Sequence, residues 1–397
     1  MVQLIETLAI ELNEQRCSGC LLCSSLCPFE ALSKEDSGKV VLQAEKCQVC
    51  GLCYSSCPSK AIEVLYYDLD SLTRYLKDAK QRYDSDKLLI ACKGASPDFT
   101  RAERIFKLSN YIPLSVPCVG RIPEELYLRA LGELGLKKIY VLACDENYCR
   151  FERGSLVAGR RIAVLNRILS QLGYGDEPIT FVKNPLRAVY NPEECVGCGK
   201  CEFICPYGAI KLQQLATPQI DLEACRGCGA CALACPHLAM EVEGFEYERF
   251  SSLIQSYGTR VKELKGQVTS PAVLVFACEW ASFLPLDRRD GLWERIFLIE
   301  IPCFNKLDPI YVLQAFHFGF DGVLAVVCLD EDCRAKEGRG AAEENMAALR
   351  LALKKLGLED RFEVYKTSPR YVGDFEARFE SFLARLSFLR KSEAHHE

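Results

Sequence analysis

From Asp86 onward the chain alternates short apolar runs with amphipathic stretches. The runs KLLIAC, YIPLSVPC, KKIYVLAC and PITFVK are rich in apolar residues, while PEELYLRALGELG and the stretch from Leu156 to Leu172 place theirs at helical spacing. The alternation returns in the second half, with AVLVFAC, IFLIEIPC, GVLAVVC and FEVYK as strands and with PIYVLQAFHFG and Ala341 to Leu356 as helices. Strands alternating with helices predict a parallel sheet, and near-continuous apolar strands such as GVLAVV are those covered by helices on both faces. The stretches Tyr67 to Asp86 and Glu246 to Lys265 are poor in Gly, Pro and Ser and read as helical connections. What remains, up to about residue 66 and from about 191 to 245, carries no long periodic segment and is dense in cysteine instead.

The cysteines reveal an internal repeat. Cys17, Cys20, Cys23, Cys27, Cys47, Cys50, Cys53 and Cys57 recur as Cys195, Cys198, Cys201, Cys205, Cys225, Cys228, Cys231 and Cys235, each 178 positions on. Cys92, Cys118, Cys144 and Cys149 recur as Cys278, Cys303, Cys328 and Cys333, at offsets of 184 to 186. One unit duplicated and fused accounts for both series. Four domains are expected, at 1–66, 67–190, 191–245 and 246–397. With 24 cysteines in a chain whose start lacks the basic-then-apolar order of a signal peptide, a cytoplasmic location and metal ligation are expected, not a disulfide framework.

The pattern Cys-x-x-Cys-x-x-Cys-x-x-x-Cys-Pro occurs four times, ending at Cys27-Pro28, Cys57-Pro58, Cys205-Pro206 and Cys235-Pro236. This spacing fits a cubane cluster, with three cysteines wrapping one centre and the fourth reaching its neighbour, and it fits a zinc knuckle poorly. The two dense modules resemble bacterial-type ferredoxins over roughly 110 residues. The crossed rule gives one [4Fe-4S] cluster to Cys17, Cys20, Cys23 and Cys57 and a second to Cys47, Cys50, Cys53 and Cys27. It gives a third to Cys195, Cys198, Cys201 and Cys235 and a fourth to Cys225, Cys228, Cys231 and Cys205. The glycines Gly19, Gly51, Gly197, Gly199, Gly227 and Gly229 are expected to let backbone amides reach the sulfurs. Leu21, Leu22, Val49 and Phe203 are expected to limit water around them.

The other eight cysteines fall at the carboxyl ends of predicted strands, where an open parallel sheet binds its ligands, each set completed by a Cys-x4-Cys loop. Four thiolates there suit a [2Fe-2S] cluster, a [4Fe-4S] cluster or Zn²⁺, and buried structural or redox-active thiols are a further alternative. The strings VPCVGRIPEE, VLACDENYCR and GSLVAGRRIAVLNRILSQLGYG resemble the iron–sulfur delta subunit of methyl-viologen-reducing hydrogenase, from about Lys87 to Lys183 and, more weakly, from about Pro271 to Tyr365. The resemblance implies one [2Fe-2S] cluster per copy. It also implies partners of two kinds, a heterodisulfide-reductase-like flavoprotein and a hydrogenase or formate dehydrogenase. The chain departs from the family in two respects. The usual second cysteine is replaced in Lys93-Gly94-Ala95 and Glu279-Trp280-Ala281, and PCFNKL stands for the PC-x-GR pattern, so that Lys306 falls near the place of Arg121.

The expected fold is thus α/β and α+β, two ferredoxin-like 2[4Fe-4S] modules alternating with two α/β parallel-sheet domains in a tandem duplication. No dinucleotide fingerprint and no phosphate loop is present, so neither flavin nor nucleotide is indicated. The four histidines, His237, His317, His395 and His396, have no metal-site spacing, although His237 directly follows Cys235-Pro236. Arg150, Arg153, Arg334 and Lys336 flank the Cys-x4-Cys loops and are read either as solvated helix starts or as groups that touch cluster sulfurs or a partner. A net charge of −5 without a basic block argues against nucleic acid, and no apolar run approaches a membrane span. The expected function is that of a subunit without catalysis of its own, relaying single electrons between partner oxidoreductases through four [4Fe-4S] and two [2Fe-2S] clusters. The alternative is a subunit that supplies a catalytic cluster for disulfide or aromatic-ring reduction.

Overall fold

The computed structural model describes residues 9–95, 99–146, 149–213, 217–264, 270–281, 296–333, 339–371 and 373–394. Arg334, Lys336, His395 and His396 lie outside them. The chain divides mainly into two compact units, one running to Leu186 and the other starting at Arg187.

In the first unit the cysteine-dense module is built from very short elements. Strands Ile10–Leu12 and Ile62–Val64 pair antiparallel, as do Leu32–Lys34 and Val40–Leu42, and the helices Leu22–Leu26 and Leu52–Ser56 follow the first two cysteines of each motif. The helix Leu69–Tyr83 then leads into the sheet domain, capped by the Asp68 carboxylate, which accepts from the amides of Asp70 and Ser71. Its buried stripe of Leu72, Thr73, Leu76 and Ala79 has helical spacing, as the sequence predicts.

The sheet has four parallel strands in the order Ile112–Val116, Lys87–Cys92, Lys138–Ala143, Ile179–Lys183. Leu88, Leu89, Ile90 and Ala91 in the central strand are fully buried, as expected of a strand covered on both faces. Two helical segments depart from the expected pattern. A short helix, Thr100–Phe106, lies between the first two strands. PEELYLRALGELG is α-helical only over Glu124–Leu128 and continues as a wider turn through Glu133.

The second unit repeats this plan. Ala188–Tyr190 pairs with Met240–Val242, and Ile210–Leu212 with Pro218–Ile220. The helix Tyr247–Leu264 leads into a parallel sheet ordered Ile296–Ile301, Val273–Cys278, Gly322–Cys328, Phe362–Thr367. The hairpin with Met240–Val242 brings Ala188–Tyr190 beside the second module. The helix Asp374–Ala394 adds a layer that the sequence pattern did not single out. It packs closely on the sheet, because a Cβ at Gly322 would stand 2.5 Å from Leu386 Cδ1.

Candidate iron–sulfur centres

All 24 cysteines lie among the described residues, and none is in a disulfide. In each ferredoxin-type loop the two positions that flank the second cysteine adopt left-handed backbone. Six of these eight positions are the glycines at 19, 51, 197, 199, 227 and 229, and the others are Leu21 (φ 62°) and Val49 (φ 49°). Alternating left-handed residues turn successive amides toward one point, which suits a loop that must wrap a sulfur-rich object. Amides do reach the thiols. Val49 N donates to Cys47 Sγ and Gly197 N to Cys195 Sγ, both at 3.4 Å. Ala31, Ala61 and Ala209, each four residues past a Cys-Pro cysteine, donate to Cys27, Cys57 and Cys205 at 3.3–3.4 Å.

The sequence expectation for apolar shielding holds at Val49, which is 1% exposed, but not at Phe203 and Leu22, which are 92% and 46% exposed. Phe203 sits two positions after buried Cys201 on the helix Lys200–Ile204, a rotation of roughly 200° that turns it away from the thiols. Exposure also separates the two quartets of each module. Cys20 and Cys198 are exposed, whereas Cys47, Cys50, Cys53, Cys225 and Cys231 are buried. Burial pushes the Cys50 thiol up to about 12 and that of Cys47 up to about 11. These two therefore shed their protons near neutral pH only when a cation binds them.

The remaining eight cysteines gather at the carboxyl edges of the two sheets, as their strand-end positions predict. Cys92 closes the first strand in chain order and Cys144 follows the third. These strands are adjacent where the strand order reverses, and the two sulfurs lie 3.9 Å apart. Cys149 completes the group and is held low by thiol hydrogen bonds with Cys118 and then Cys144. Gly154, which opens the helix Gly154–Gln171, covers it, because a Cβ there would stand 2.2 Å from Cys118 Sγ and 3.2 Å from Cys149 Sγ. In the second unit Cys278 and Cys328 are 3.6 Å apart, and Cys303 is paired with Cys333.

Among the described residues no three His, Cys, Asp or Glu converge on a point that would hold a single metal ion. Each iron of a cluster takes its own thiolates, so a cluster does not require such convergence. The donor set, four thiols joined in a chain of close pairs beneath a glycine with no room for a side chain, fits an iron–sulfur group.

The inner cysteines of each module abut the strand-end group of the same unit. Arg121, three residues after Cys118 and fully buried, donates from Nη1 to the carbonyl of Val49 (3.3 Å) and from Nη2 to that of Tyr66 (3.0 Å). Gly51, between Cys50 and Cys53, admits this approach, since a Cβ there would stand 2.7 Å from Arg121 Cβ. Ser55 Oγ donates to Gly120 O (2.9 Å), and Arg161 binds both. In the second unit Gly229 and Lys306 stand in the same relation, with a Cβ at Gly229 2.8 Å from Lys306 Cβ. Asn305 is 1% exposed, with its side chain turned to the Cys228 thiol. It lies beside Cys228, where burial, opposed in part by this side chain, pushes the thiol up to about 11.

Of the basic residues flanking the first Cys-x4-Cys loop, Arg153 donates to Ser25 O at 2.9 Å and thereby ties the sheet domain to the module. His237 is exposed and borders a shallow cavity with Cys195, Cys198 and Cys235, and His317 is exposed on a helix. Sequence reasoning did not single out Gly154, Asn305 or Glu241. Comparison of the two copies could have flagged the last, because Glu63 occupies its place in the first.

The comparisons with known proteins follow the same division. Residues 9–58 and 194–239 each match a 4Fe-4S dicluster domain. One component of the ferredoxin:CoB-CoM heterodisulfide reductase of Methanosarcina mazei is 30% identical over 209 residues, which is 50% of this chain and 24% of that protein. The chain thus spans about a quarter of that relative's length. The iron–sulfur subunit of the F420-non-reducing hydrogenase of Archaeoglobus profundus is 28% identical over 93 residues, 22% of this chain and 68% of that protein. The corresponding vhu iron–sulfur subunit of Methanocaldococcus jannaschii is 26% identical over 124 residues, 30% of this chain and 92% of that protein. The sequence model described as methyl-viologen-reducing hydrogenase, delta subunit, matches residues 90–189 and 273–389, more than half of the chain, and this chain belongs to that family.

Proposed function

We propose that this chain is a relay subunit that passes single electrons between partner oxidoreductases and performs no substrate chemistry of its own. The observation that supports this most directly is the arrangement found twice over. A cysteine quartet with one exposed member adjoins a more deeply buried one, and the latter abuts a strand-end group across a packed seam. The chain's residues serve to fix spacing, exclude water and donate amides to sulfur. The groups they hold would accept and release one electron at a time.

On this reading four [4Fe-4S] clusters sit on the sixteen ferredoxin-type cysteines in the crossed pairing given above. Cys92, Cys118, Cys144 and Cys149, and likewise Cys278, Cys303, Cys328 and Cys333, hold one [2Fe-2S] cluster each. The chain arose by duplication of one module-plus-sheet unit and works in the cytoplasm. Its relatives by name are subunits of a heterodisulfide reductase and of hydrogenases, which supports partners of those two classes. No described helix is long and apolar enough to cross a membrane.

Anaerobic redox titration followed by EPR tests the proposal. Signals that reduce at low potential, with no turnover by the isolated chain until a hydrogenase and a heterodisulfide-reductase-like flavoprotein are both added, are expected. Turnover of a disulfide or aromatic substrate by the chain alone would overturn it.

A further inference from the structure

The seam cation differs between the two units. In the second, Lys306 Nζ lies 2.7 Å from Glu241 Oε2, with the two side chains 4% and 13% exposed. The other oxygen, Oε1, accepts from the amide of Tyr247 at 3.0 Å, so the carboxylate is fixed from two sides. In the first, Arg121 occupies the corresponding position against Gly51 and spends its Nη groups on two carbonyls. The carboxylate at the place of Glu241 is Glu63, 178 residues earlier, and it turns outward to Arg16 (3.0 Å), with the side chains 59% and 57% exposed. The same carboxylate therefore neutralises the seam cation in one unit and a surface cation in the other.

Resting on the relay reading above, we propose that Glu241 is a potential-setting residue that makes the centre beside Lys306 in the second unit harder to reduce than the lysine alone would leave it. Reduction adds one negative charge to a group beside the seam. A nearby buried cation stabilises that charge, and a carboxylate paired with the cation cancels the benefit.

The test is EPR-monitored redox titration of the full iron-loaded chain, with iron and acid-labile sulfide counted for every variant. Glu241→Gln is expected to raise one midpoint by an amount equivalent to about a tenfold change in the reduced-to-oxidised ratio, 59 mV for one electron. Glu63→Gln is expected to leave every midpoint in place. The double variant Glu241→Gln with Lys306→Met, which removes both charges, is expected to return close to the wild-type potential, an outcome that a merely structural role for Glu241 would not give. If Glu241→Gln fails to assemble, Lys306→Gln is titrated instead and is expected to lower the same midpoint. Full cluster content with midpoints unmoved by Glu241→Gln, or by Lys306→Gln in its stead, overturns the inference. Absence of iron and sulfide from the wild-type chain overturns the relay reading itself.

Discussion

Gly154→Ala is expected to abolish the strand-end centre of the first unit while the remaining centres assemble. The added Cβ would stand 2.2 Å from Cys118 Sγ and 3.2 Å from Cys149 Sγ, well inside van der Waals contact. Backbone cannot easily yield there, because a Cβ at Gly120 would likewise meet Gly154 O at 2.5 Å. Cys118 must therefore leave its place, and one displaced ligand of four is enough to lose a small cluster. Iron and sulfide should each fall by about two per chain, with the ferredoxin-type signals unchanged. Undiminished iron in the Gly154→Ala chain would show that Cys118 and Cys149 bind nothing beneath this glycine.

Removal of iron by a chelator under reducing conditions should melt both cysteine-dense modules and spare both parallel sheets. The modules have little else to hold them. The second is built on three-residue strands and five-residue helices, and three of the seven buried residues in its core cluster, Cys201, Cys225 and Cys231, are cysteines. Cores this small ordinarily need a metal or a disulfide. In the apo form, moreover, buried thiols such as Cys50 return to the neutral state, so the charge that binds iron is lost with it. Hydrogen exchange read by mass spectrometry should show nearly complete loss of amide protection across residues 9–66 and 188–242. The strands around Leu88 to Ala91 and Val323 to Val327, which are fully buried or nearly so, should keep theirs. Modules that stay protected after iron is stripped would contradict a cluster-built core.

The sheet domains were legible in the sequence because their strands are buried on both faces and so carry continuous apolar runs that no surface strand would show. The spacing of the sixteen ferredoxin-type cysteines is legible because it is local, each set of three lying within seven residues of chain. Strand-end placement brought Cys92 and Cys144 together for the same reason, since parallel strands align their carboxyl ends.

What sequence left out depends on contacts between segments far apart in the chain. Arg121 reaches Val49 and Tyr66 across the seam, and Glu241 reaches Lys306, pairings that no periodicity encodes. Gly154 matters only because Cys118 lies beneath it. Phe203 and Leu22 misled for a local reason. Adjacency to a ligand in sequence is not adjacency in space there, because on a short helix neighbours one or two positions apart point away from each other.

We propose that every cysteine quartet of this chain holds an iron–sulfur cluster. Iron and acid-labile sulfide, measured on anaerobically purified chain, test it most directly. About 20 of each per chain are expected, and about 16, the ferredoxin-type sites alone, would contradict it for the strand-end quartets. Stoichiometric zinc without labile sulfide would contradict it.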